Sequence, residues 1–225
     1  MTFNGQNHAM KKVQPHPPQH LKKRRDPHQD RSHAALKRIL QAAADLLSEH
    51  GVEKLTTRNI AQQAGVNVST LYQFFPNKHA IIYTLYEDWI KGGKAVFSRA
   101  DQRLENTSDW HTFFKDFLDD YEDVGFSAMI ESRLMQAIGV YADLRVLQQN
   151  YDSWATAKLS DYIHHFAPTC PANRTTAMAS ILLEWDMTLA NQEIAYRGPV
   201  HDLILDMTYT ALLHLLHECI EGPTA

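Results

Sequence analysis

The histidine and acidic side chains of this 225-residue sequence are the ones that could support metal-ion or acid–base chemistry. His214 and His217 lie one helical turn apart near the end of the chain, and Glu218 follows directly. Because this spacing differs from the His-Glu-x-x-His pattern of zinc hydrolases and defines no third ligand, we interpret both histidines as solvated or as part of a dimer face. The sequence also lacks a nucleophile elbow, a phosphate-binding loop and a dinucleotide-binding fingerprint. We therefore expect neither an enzyme nor a cofactor.

The first 31 residues contain four histidines, four prolines and the basic cluster Lys22-Lys23-Arg24-Arg25. The histidines are irregularly spaced, and no cysteine or carboxylate accompanies them in a ligand pattern, so we expect no metal site. Because this segment has no apolar period, residues 1–31 are predicted to be a disordered basic arm. Two interpretations stay open, an arm that contacts phosphates or a minor groove and a tail without function.

Charge is distributed unevenly along the chain. Residues 1–78 contain 12 lysines and arginines against 5 acidic residues, whereas the remainder contains 10 against 21. A polyanion is therefore expected to bind the N-terminal third. The two parts are predicted to be separate domains with different partners.

Composition places further bounds on the protein. No run of 18 apolar residues is present, and the polar N-terminus lacks the apolar region of a signal peptide. We expect a soluble, cytoplasmic protein without a membrane partner. The two cysteines, Cys170 and Cys219, show no disulfide or zinc spacing and are expected to be reduced, packed thiols.

A polar stretch with the features of a helix-turn-helix lies inside the basic third. Ala61 provides the small side chain that two crossing helices need, and Gly65 tolerates the left-handed conformation of the turn. Val66 and Leu71 supply apolar contacts that lock the second helix. The side chains left to face outward into a major groove are Asn67, Ser69, Thr70, Tyr72 and Gln73.

This stretch resembles the DNA-binding domain of the tetracycline-repressor (TetR) family. The resemblance rests on Leu55-Thr56-Thr57-Arg58-Asn59-Ile60-Ala61, on Gly65-Val66 and on Ser69-Thr70-Leu71-Tyr72-Gln73-Phe74-Phe75-Pro76-Asn77-Lys78. It covers residues 33 to about 93, whereas the C-terminal half is similar only in the number, length and order of its helices. The resemblance implies a transcriptional regulator, most often a repressor, that binds a palindromic operator in double-stranded DNA.

The resemblance also implies two groups of DNA contacts. Phosphates would be held by Thr57, Tyr72 and Lys78, and base edges would lie near Arg58, Asn67, Val68 and Ser69. Arg58 is the best candidate for reading a base, because a guanidinium can bind O6 and N7 of guanine together with about 1–3 kcal/mol of discrimination. Contact of Arg58 with phosphate alone is the alternative. Phe74 and Phe75 are expected in the core.

Apolar residues recur with a helical period through most of the chain, and nothing in it favours a strand. The first four helices are predicted over 33–50, 56–65, 68–74 and 78–97, with Gly51 ending the first and Asn77 capping the fourth. Later helical patterns begin at Trp110 and then cover 126–141, 144–166, 172–196 and 200–220. The fold is predicted to be all-α with about nine helices. A DNA-binding domain is expected over 32–93, with its motif at about 56–75, and a ligand-binding and dimerisation domain over 94–225.

The last two predicted helices carry more apolar surface than one internal face can absorb. In the TetR family the corresponding helices pair with those of a second subunit, so the resemblance implies a homodimer. It also implies a small-molecule effector bound among the middle helices, with candidate contacts at Trp89, Phe113, Phe117, Tyr121, Met129, Arg133, Tyr151, Trp154 and Trp185. Each of these could instead belong to the ordinary core, and Arg133 could pair with Glu131 or another acid.

Control by that effector would release the repressor from its operator. The helix over 78–97 would act as the lever, because it begins in the DNA-binding unit and could touch the cavity through Trp89 and Phe97. A helical regulator controlled by a protein partner is the alternative. The identity of the effector does not follow from the sequence.

Overall fold

The computed structural model describes residues 18–23, 30–122, 128–195 and 199–222. Within these ranges the backbone forms nine α-helices and no β-strand, as the sequence predicts. In chain order the helices are α1 (Asp30–Lys54), α2 (Thr57–Gln63), α3 (Val68–Phe74), α4 (Lys78–Leu104), α5 (Trp110–Glu122), α6 (Ala128–Val140), α7 (Ala142–Phe166), α8 (Ala172–Ala195) and α9 (Pro199–Ile220).

Gly51 interrupts α1 close to its end. Its φ of 72° is a left-handed conformation that glycine adopts without the strain imposed on other residues. The predicted break at this residue is confirmed, but the helix begins at Asp30 and continues after the glycine to Lys54. The turn after Gly51 exposes the carbonyl oxygen of Val52 to a side chain from α4.

Helix α4 is longer than the sequence predicts and ends at Leu104 instead of residue 97. Its start is fixed as predicted by Asn77, whose Oδ1 accepts a hydrogen bond from the backbone N–H of Ala80 at 2.8 Å. The predicted domain boundary at residues 93 and 94 therefore lies inside one continuous helix. A displacement of this helix moves parts of both predicted domains.

Residues 18–23 contact the rest of the chain. The backbone N–H of Leu21 donates to the carbonyl oxygen of Pro18 at 2.8 Å, and the Leu21 side chain is 1% exposed. The expectation of a disordered arm over 1–31 is therefore wrong for residues 18–23, because a leucine that buries its side chain offsets the entropy cost of ordering. The same expectation is wrong for Asp30 and Arg31, which belong to α1. Residues 1–17 and 24–29 lie outside the described residues.

The core is continuous from the helix-turn-helix to the C-terminal helices. Helix α2 packs on both α1 and α3, α6 packs on both α1 and α8, and α7 packs along α8. Almost fully buried side chains in this core include Ile39, Leu47, Ile60, Phe75, Phe97, Phe113, Phe114 and Tyr162. The C-terminal helices therefore contact the DNA-binding helices directly through α4 and α6.

Helix α9 carries an apolar stripe that a single chain leaves exposed. Val200, Leu203 and Met207 recur at helical spacing and are 55%, 57% and 63% exposed. By length and composition alone the stretch Asp202–Ile220 could cross a membrane, but a single helix of this kind is weak evidence for a span. A contiguous apolar stripe is typical of a protein interface.

Cys170 and Cys219 are free thiols whose sulfur atoms lie 3.7 Å apart. Burial and the neighbouring Cys170 thiol raise the pKa of Cys219 to about 11, which keeps it protonated and unreactive at neutral pH. Cys219 is packed as expected, whereas Cys170 is half-buried.

Candidate nucleic-acid interface and effector cavity

The turn between α2 and α3 has the backbone conformation that the sequence predicts. Gly65 has a φ of 63°, and the carbonyl oxygen of Ala61 accepts a hydrogen bond from the N–H of Val66 at 3.0 Å. The start of α2 is capped by Thr56, whose hydroxyl accepts from the N–H of Asn59 at 3.1 Å. These local bonds fix the direction in which α3 leaves the turn.

Apolar side chains then hold the two short helices against the core. Ile60 and Ala61 of α2 are 0% and 1% exposed, and Leu71 of α3 is fully buried. Phe74 and Phe75 are also buried, so their predicted place in the core is confirmed. The buried residues therefore stabilise the motif, and the exposed residues of α2 and α3 remain able to contact another molecule.

The surface of α2 and α3 carries the residues expected near base edges. Arg58, Asn67 and Ser69 are exposed, and Val68 is 39% exposed. The Asn67 side chain makes no capping hydrogen bond to α3, so its amide is available to a ligand. Gln73 is exposed as expected, whereas Thr70 is half-buried. This surface offers hydrogen-bond donors and acceptors with one positive charge, which suits the edges of base pairs.

Two of the residues expected at phosphates meet each other in the structure. The hydroxyl oxygens of Thr57 and Tyr72 lie 3.1 Å apart, and either one can donate. The Tyr72 side chain is 40% exposed, so its hydroxyl can reach a partner outside the protein. Because this bond joins the start of α2 to α3, it also sets the spacing of the two helices.

Lys78 has a structural contact that the sequence does not reveal. Its Nζ donates to the carbonyl oxygen of Val52 at 3.2 Å, next to the break at Gly51. An ammonium group has three donors, so two protons remain for a phosphate. A substitution of Lys78 would therefore disturb both the junction between α1 and α4 and any DNA contact.

Four of the nine residues expected to contact an effector pack in an aromatic core around α4: Trp89, Phe113, Tyr151 and Trp154. Trp89 packs on Tyr151 with ring centroids 5.7 Å apart, and Phe97 packs on Trp154 at 4.8 Å. Trp89 is 6% exposed and its Nε1 donates to Glu131 at 2.9 Å. Phe113 is buried as well.

Arg133 also lies elsewhere. Its Nη1 donates to Gln136 at 2.9 Å, and the guanidinium lies against Gly51, where a Cβ atom would be 3.7 Å from Nη1. Arg133 therefore occupies the contact between α6 and α1 instead of an effector site. The side chain of Met129 lies outside the described residues.

A cavity of about 300 Å³ lies between α5, α7, α8 and α9. Among the expected effector contacts, Phe117, Tyr121 and Trp185 line it. The sequence does not indicate its other walls, which include Leu182, Asp206, Thr208 and Tyr209. These residues have no motif, and only the packing of α8 and α9 places them beside α5.

The cavity lining combines apolar side chains with polar groups, which include those of Asp206, Thr208 and Tyr209. Nε1 of Trp185 is buried and has no hydrogen-bond partner among the described residues. The hydroxyl of Tyr121 is hydrogen-bonded to that of Tyr151. Lys115 and Asp119 form an ion pair of 2.7 Å at the edge of the cavity. A mostly apolar molecule with several hydrogen-bonding groups would match this lining.

Comparison with known proteins places this architecture among bacterial regulators. The model of the family described as "Bacterial regulatory proteins, tetR family" matches residues 39–83, which include the helix-turn-helix. The tetracycline repressor protein class C from Escherichia coli is 28% identical over 170 residues, which cover 62% of this chain and 78% of that protein. The nucleoid occlusion factor SlmA from Aliivibrio fischeri is 39% identical over 72 residues, 32% of this chain but only 35% of that relative.

The likeness of the folds extends beyond the helix-turn-helix. The crystal structure of a TetR-family transcriptional regulator from Streptomyces coelicolor superimposes with a TM-score of 0.54 at 24% identity and covers 82% of this chain and 99% of that one. The C-terminal helices, which carry no motif, therefore share an arrangement with a solved regulator. Residues 39–83 therefore match the tetR family of bacterial regulatory proteins, and the fold of the chain as a whole is similar to that of a solved TetR-family regulator.

Proposed function

We propose that this protein is a transcriptional repressor that binds a palindromic operator as a homodimer and releases it when a small molecule binds. The observation that carries the proposal is the surface of α2 and α3, where Arg58, Asn67 and Ser69 are exposed while the residues that fold the motif are buried. A regulator of this kind works in the cytoplasm, where DNA is accessible.

In each subunit, some residues of α2 and α3 position the protein on the phosphate backbone, and others contact the edges of bases. The paired hydroxyls of Thr57 and Tyr72 bind phosphate and fix the register of α3 on the duplex. Arg58 reads a guanine in the major groove, and Asn67 and Ser69 contact neighbouring bases. Val68 contributes at most an apolar contact with a thymine methyl group.

Dimerisation supplies two such units with a fixed spacing. The exposed stripe of Val200, Leu203 and Met207 on α9, with Ile181 of α8 at 40% exposure, is the surface that a second copy covers. A two-fold axis through this interface presents the same α3 helix to both half-sites of a palindrome.

The effector site is the cavity between α5, α7, α8 and α9. Helix α4 is the connection to DNA, because α5 and α7 pack against its C-terminal part and its N-terminus carries Lys78. A molecule that fits the cavity better in one tilt of α4 favours that tilt. The change in tilt alters the distance between the α3 helices of the two subunits. Thermodynamic coupling then requires this molecule to bind the free dimer more tightly than the DNA-bound dimer, by the factor by which it weakens DNA binding.

Selection from a random library of DNA duplexes tests the proposal and identifies the operator at the same time. The full-length chain is expected to enrich a palindromic sequence, and Arg58→Ala is expected to enrich a more degenerate one. Lys91→Ala is the matched control, because Lys91 is an exposed cation on α4 outside the helix-turn-helix. Recovery of random duplexes by the wild-type protein would contradict sequence-specific binding.

Control by a protein partner is a second candidate for the regulatory input. The similarity of residues in the N-terminal part to SlmA favours it, since that relative is named a nucleoid occlusion factor and not a repressor. The two candidates differ in the role of the cavity. Trp185→Ala and Phe117→Ala are expected to abolish the response to a small molecule, whereas control through a surface would survive both substitutions.

A further inference from the structure

Three side chains from separate parts of the chain converge where the DNA-binding helices meet the C-terminal helices. His20 comes from residues 18–23, His79 from the first turn of α4 and Asp143 from the first turn of α7. Their ligand atoms all lie within 4.8 Å of one another. Nε2 of His20 and Nε2 of His79 are 3.7 Å and 4.0 Å from the same carboxylate oxygen, Oδ2 of Asp143.

These separations are too long for direct hydrogen bonds, which span about 2.7–3.2 Å. They are close to what a shared cation requires. Two atoms that bind one tetrahedral zinc ion at about 2.0–2.2 Å lie roughly 3.3–3.5 Å apart. Since all three ligand atoms lie within 4.8 Å of one another, side-chain shifts of about 1 Å or less would bring them to ligand distance, roughly 2.1 Å.

His79 is the most constrained of the three ligands. Its Nε2 is buried and has no hydrogen-bond partner among the described residues, a state that costs free energy unless something binds it. The imidazole stacks on the ring of Tyr141, with centroids 3.9 Å apart and planes at 17°, which holds Nε2 toward Asp143.

We propose that His20, His79 and Asp143 bind one divalent transition-metal ion, with zinc as the expected occupant and water at the fourth position. Two imidazoles and one carboxylate are ligands that zinc accepts, whereas magnesium prefers an all-oxygen set. The spacing of histidines in the sequence predicts no such site, because the carboxylate is supplied by a helix far along the chain.

The bound ion would connect residues 18–23 to α4 and α7, which are themselves joined by an ion pair of 2.8 Å between Asp101 and Lys158. It would hold residues 18–23, with the exposed Lys22, beside the start of α4, where the neighbouring residue Lys78 bonds to Val52. Because these ligands lie outside both the DNA-reading surface and the effector cavity, the site does not depend on the proposed function.

Calorimetric titration of the untagged full-length chain with zinc chloride alone tests this site. The wild type is expected to bind one zinc ion per chain, and His20→Gln and His79→Gln are expected to weaken binding at least about tenfold, the lower end of the loss seen when even outer partners of a metal ligand are removed. His50→Gln is the matched control, because its side chain is 49% exposed outside the cluster. The double variant His214→Gln/His217→Gln removes the other histidine pair and should bind zinc like the wild type.

A second readout does not depend on the affinity measurement. Zinc is expected to slow tryptic cleavage after Lys22 and Lys23 in the wild type but not in His20→Gln. Since the His20 side chain is 63% exposed, this variant should keep the wild-type circular dichroism spectrum even if His79→Gln does not fold. Wild-type zinc affinity in His20→Gln, loss of binding in the His214 and His217 variant, or no saturable binding by the wild type would each overturn the proposal.

Discussion

Tyr72 and Arg58 are expected to have different roles in DNA binding. The Tyr72 hydroxyl is bonded within the motif to Thr57, whereas Arg58 is exposed on the same short helix as Thr57. A residue that sets the spacing of two helices affects the affinity for every DNA sequence equally. A residue that reaches a base edge affects only sequences that contain that base.

Arg58→Ala is therefore expected to lower affinity for the selected operator by about 1–3 kcal/mol while leaving affinity for unrelated duplexes nearly unchanged. Tyr72→Phe, which removes only the hydroxyl, is expected to weaken binding to all duplexes by a similar factor. Fluorescence anisotropy with operator variants measures both effects. An equal loss on every duplex for Arg58→Ala would assign Arg58 to phosphate and leave base reading to Asn67 and Ser69.

The exposed positions of the motif can be predicted from sequence because they follow from a local pattern. Gly65, Ala61 and Leu71 define the turn and its buried face, and the remaining positions must be outside. The contacts of Lys78 with Val52 and of Arg133 with Gln136 beside Gly51 cannot be predicted in this way. They depend on how α1, α4 and α6 pack. The spacing of residues within one helix does not predict which residues of another helix it will contact.

At the scale of elements, a glycine of α4 allows a close contact with α7. A Cβ atom on Gly93 would overlap the hydroxyl of Tyr151 and lie 3.0 Å from its Cζ. Glycine in a helix interior costs about 0.5–1 kcal/mol relative to alanine, so its presence here indicates that close packing outweighs helix propensity. The contact lies near the middle of α4, between the DNA-binding end and the cavity.

Gly93→Ala is expected to destabilise the protein by about 1–3 kcal/mol because Tyr151 has to move within a packed core. Gly139→Ala in α6 is the control, since no described atom lies within 4 Å of its Cβ position, and it is expected to stabilise by about 0.5–1 kcal/mol. Urea unfolding at one fixed protein concentration measures both. Stabilisation by Gly93→Ala would show that α4 and α7 separate readily at this point.

Element boundaries are predictable from sequence where a capping residue or a glycine marks them. Asn77 fixes the start of α4 in both the sequence and the structure, but the end of α4 has no comparable signal, and the helix runs seven residues beyond the predicted end at 97. The burial of Leu21 is not predictable either, because one apolar residue among basic and proline residues shows no period. The cavity walls from α9 have no distinguishing period for the same reason.

For the whole molecule, the exposed stripe on α9 has to be covered by something apolar. Met207→Glu places a charge within this stripe at its most exposed residue, and the cost of burying the charge is expected to shift the chain from dimer to monomer. Val146→Glu is the matched control, because Val146 is 52% exposed on α7, outside the α9 stripe. Sedimentation velocity distinguishes the two forms. A dimeric Met207→Glu would place the interface elsewhere.

The basic N-terminal segment is expected to affect the DNA affinity of the whole molecule. Deleting it would remove the buried Leu21, so replacement of Lys22, Lys23, Arg24 and Arg25 by glutamine is the cleaner change. If these residues bind phosphates, the slope of log affinity against log salt should fall by about 0.9 for each phosphate that is no longer neutralised, with the preferred sequence unchanged. An unchanged slope would assign the segment no role in DNA binding.

The central claim is that a dimer of this chain reads both halves of a palindrome through α2 and α3. Competition anisotropy with the selected operator, a duplex with one scrambled half-site and a duplex with both scrambled tests it most directly. Scrambling both half-sites is expected to weaken binding by about 10³-fold or more, scrambling one by an intermediate factor, and the intact operator should hold two chains. Equal affinity for all three duplexes would contradict the claim.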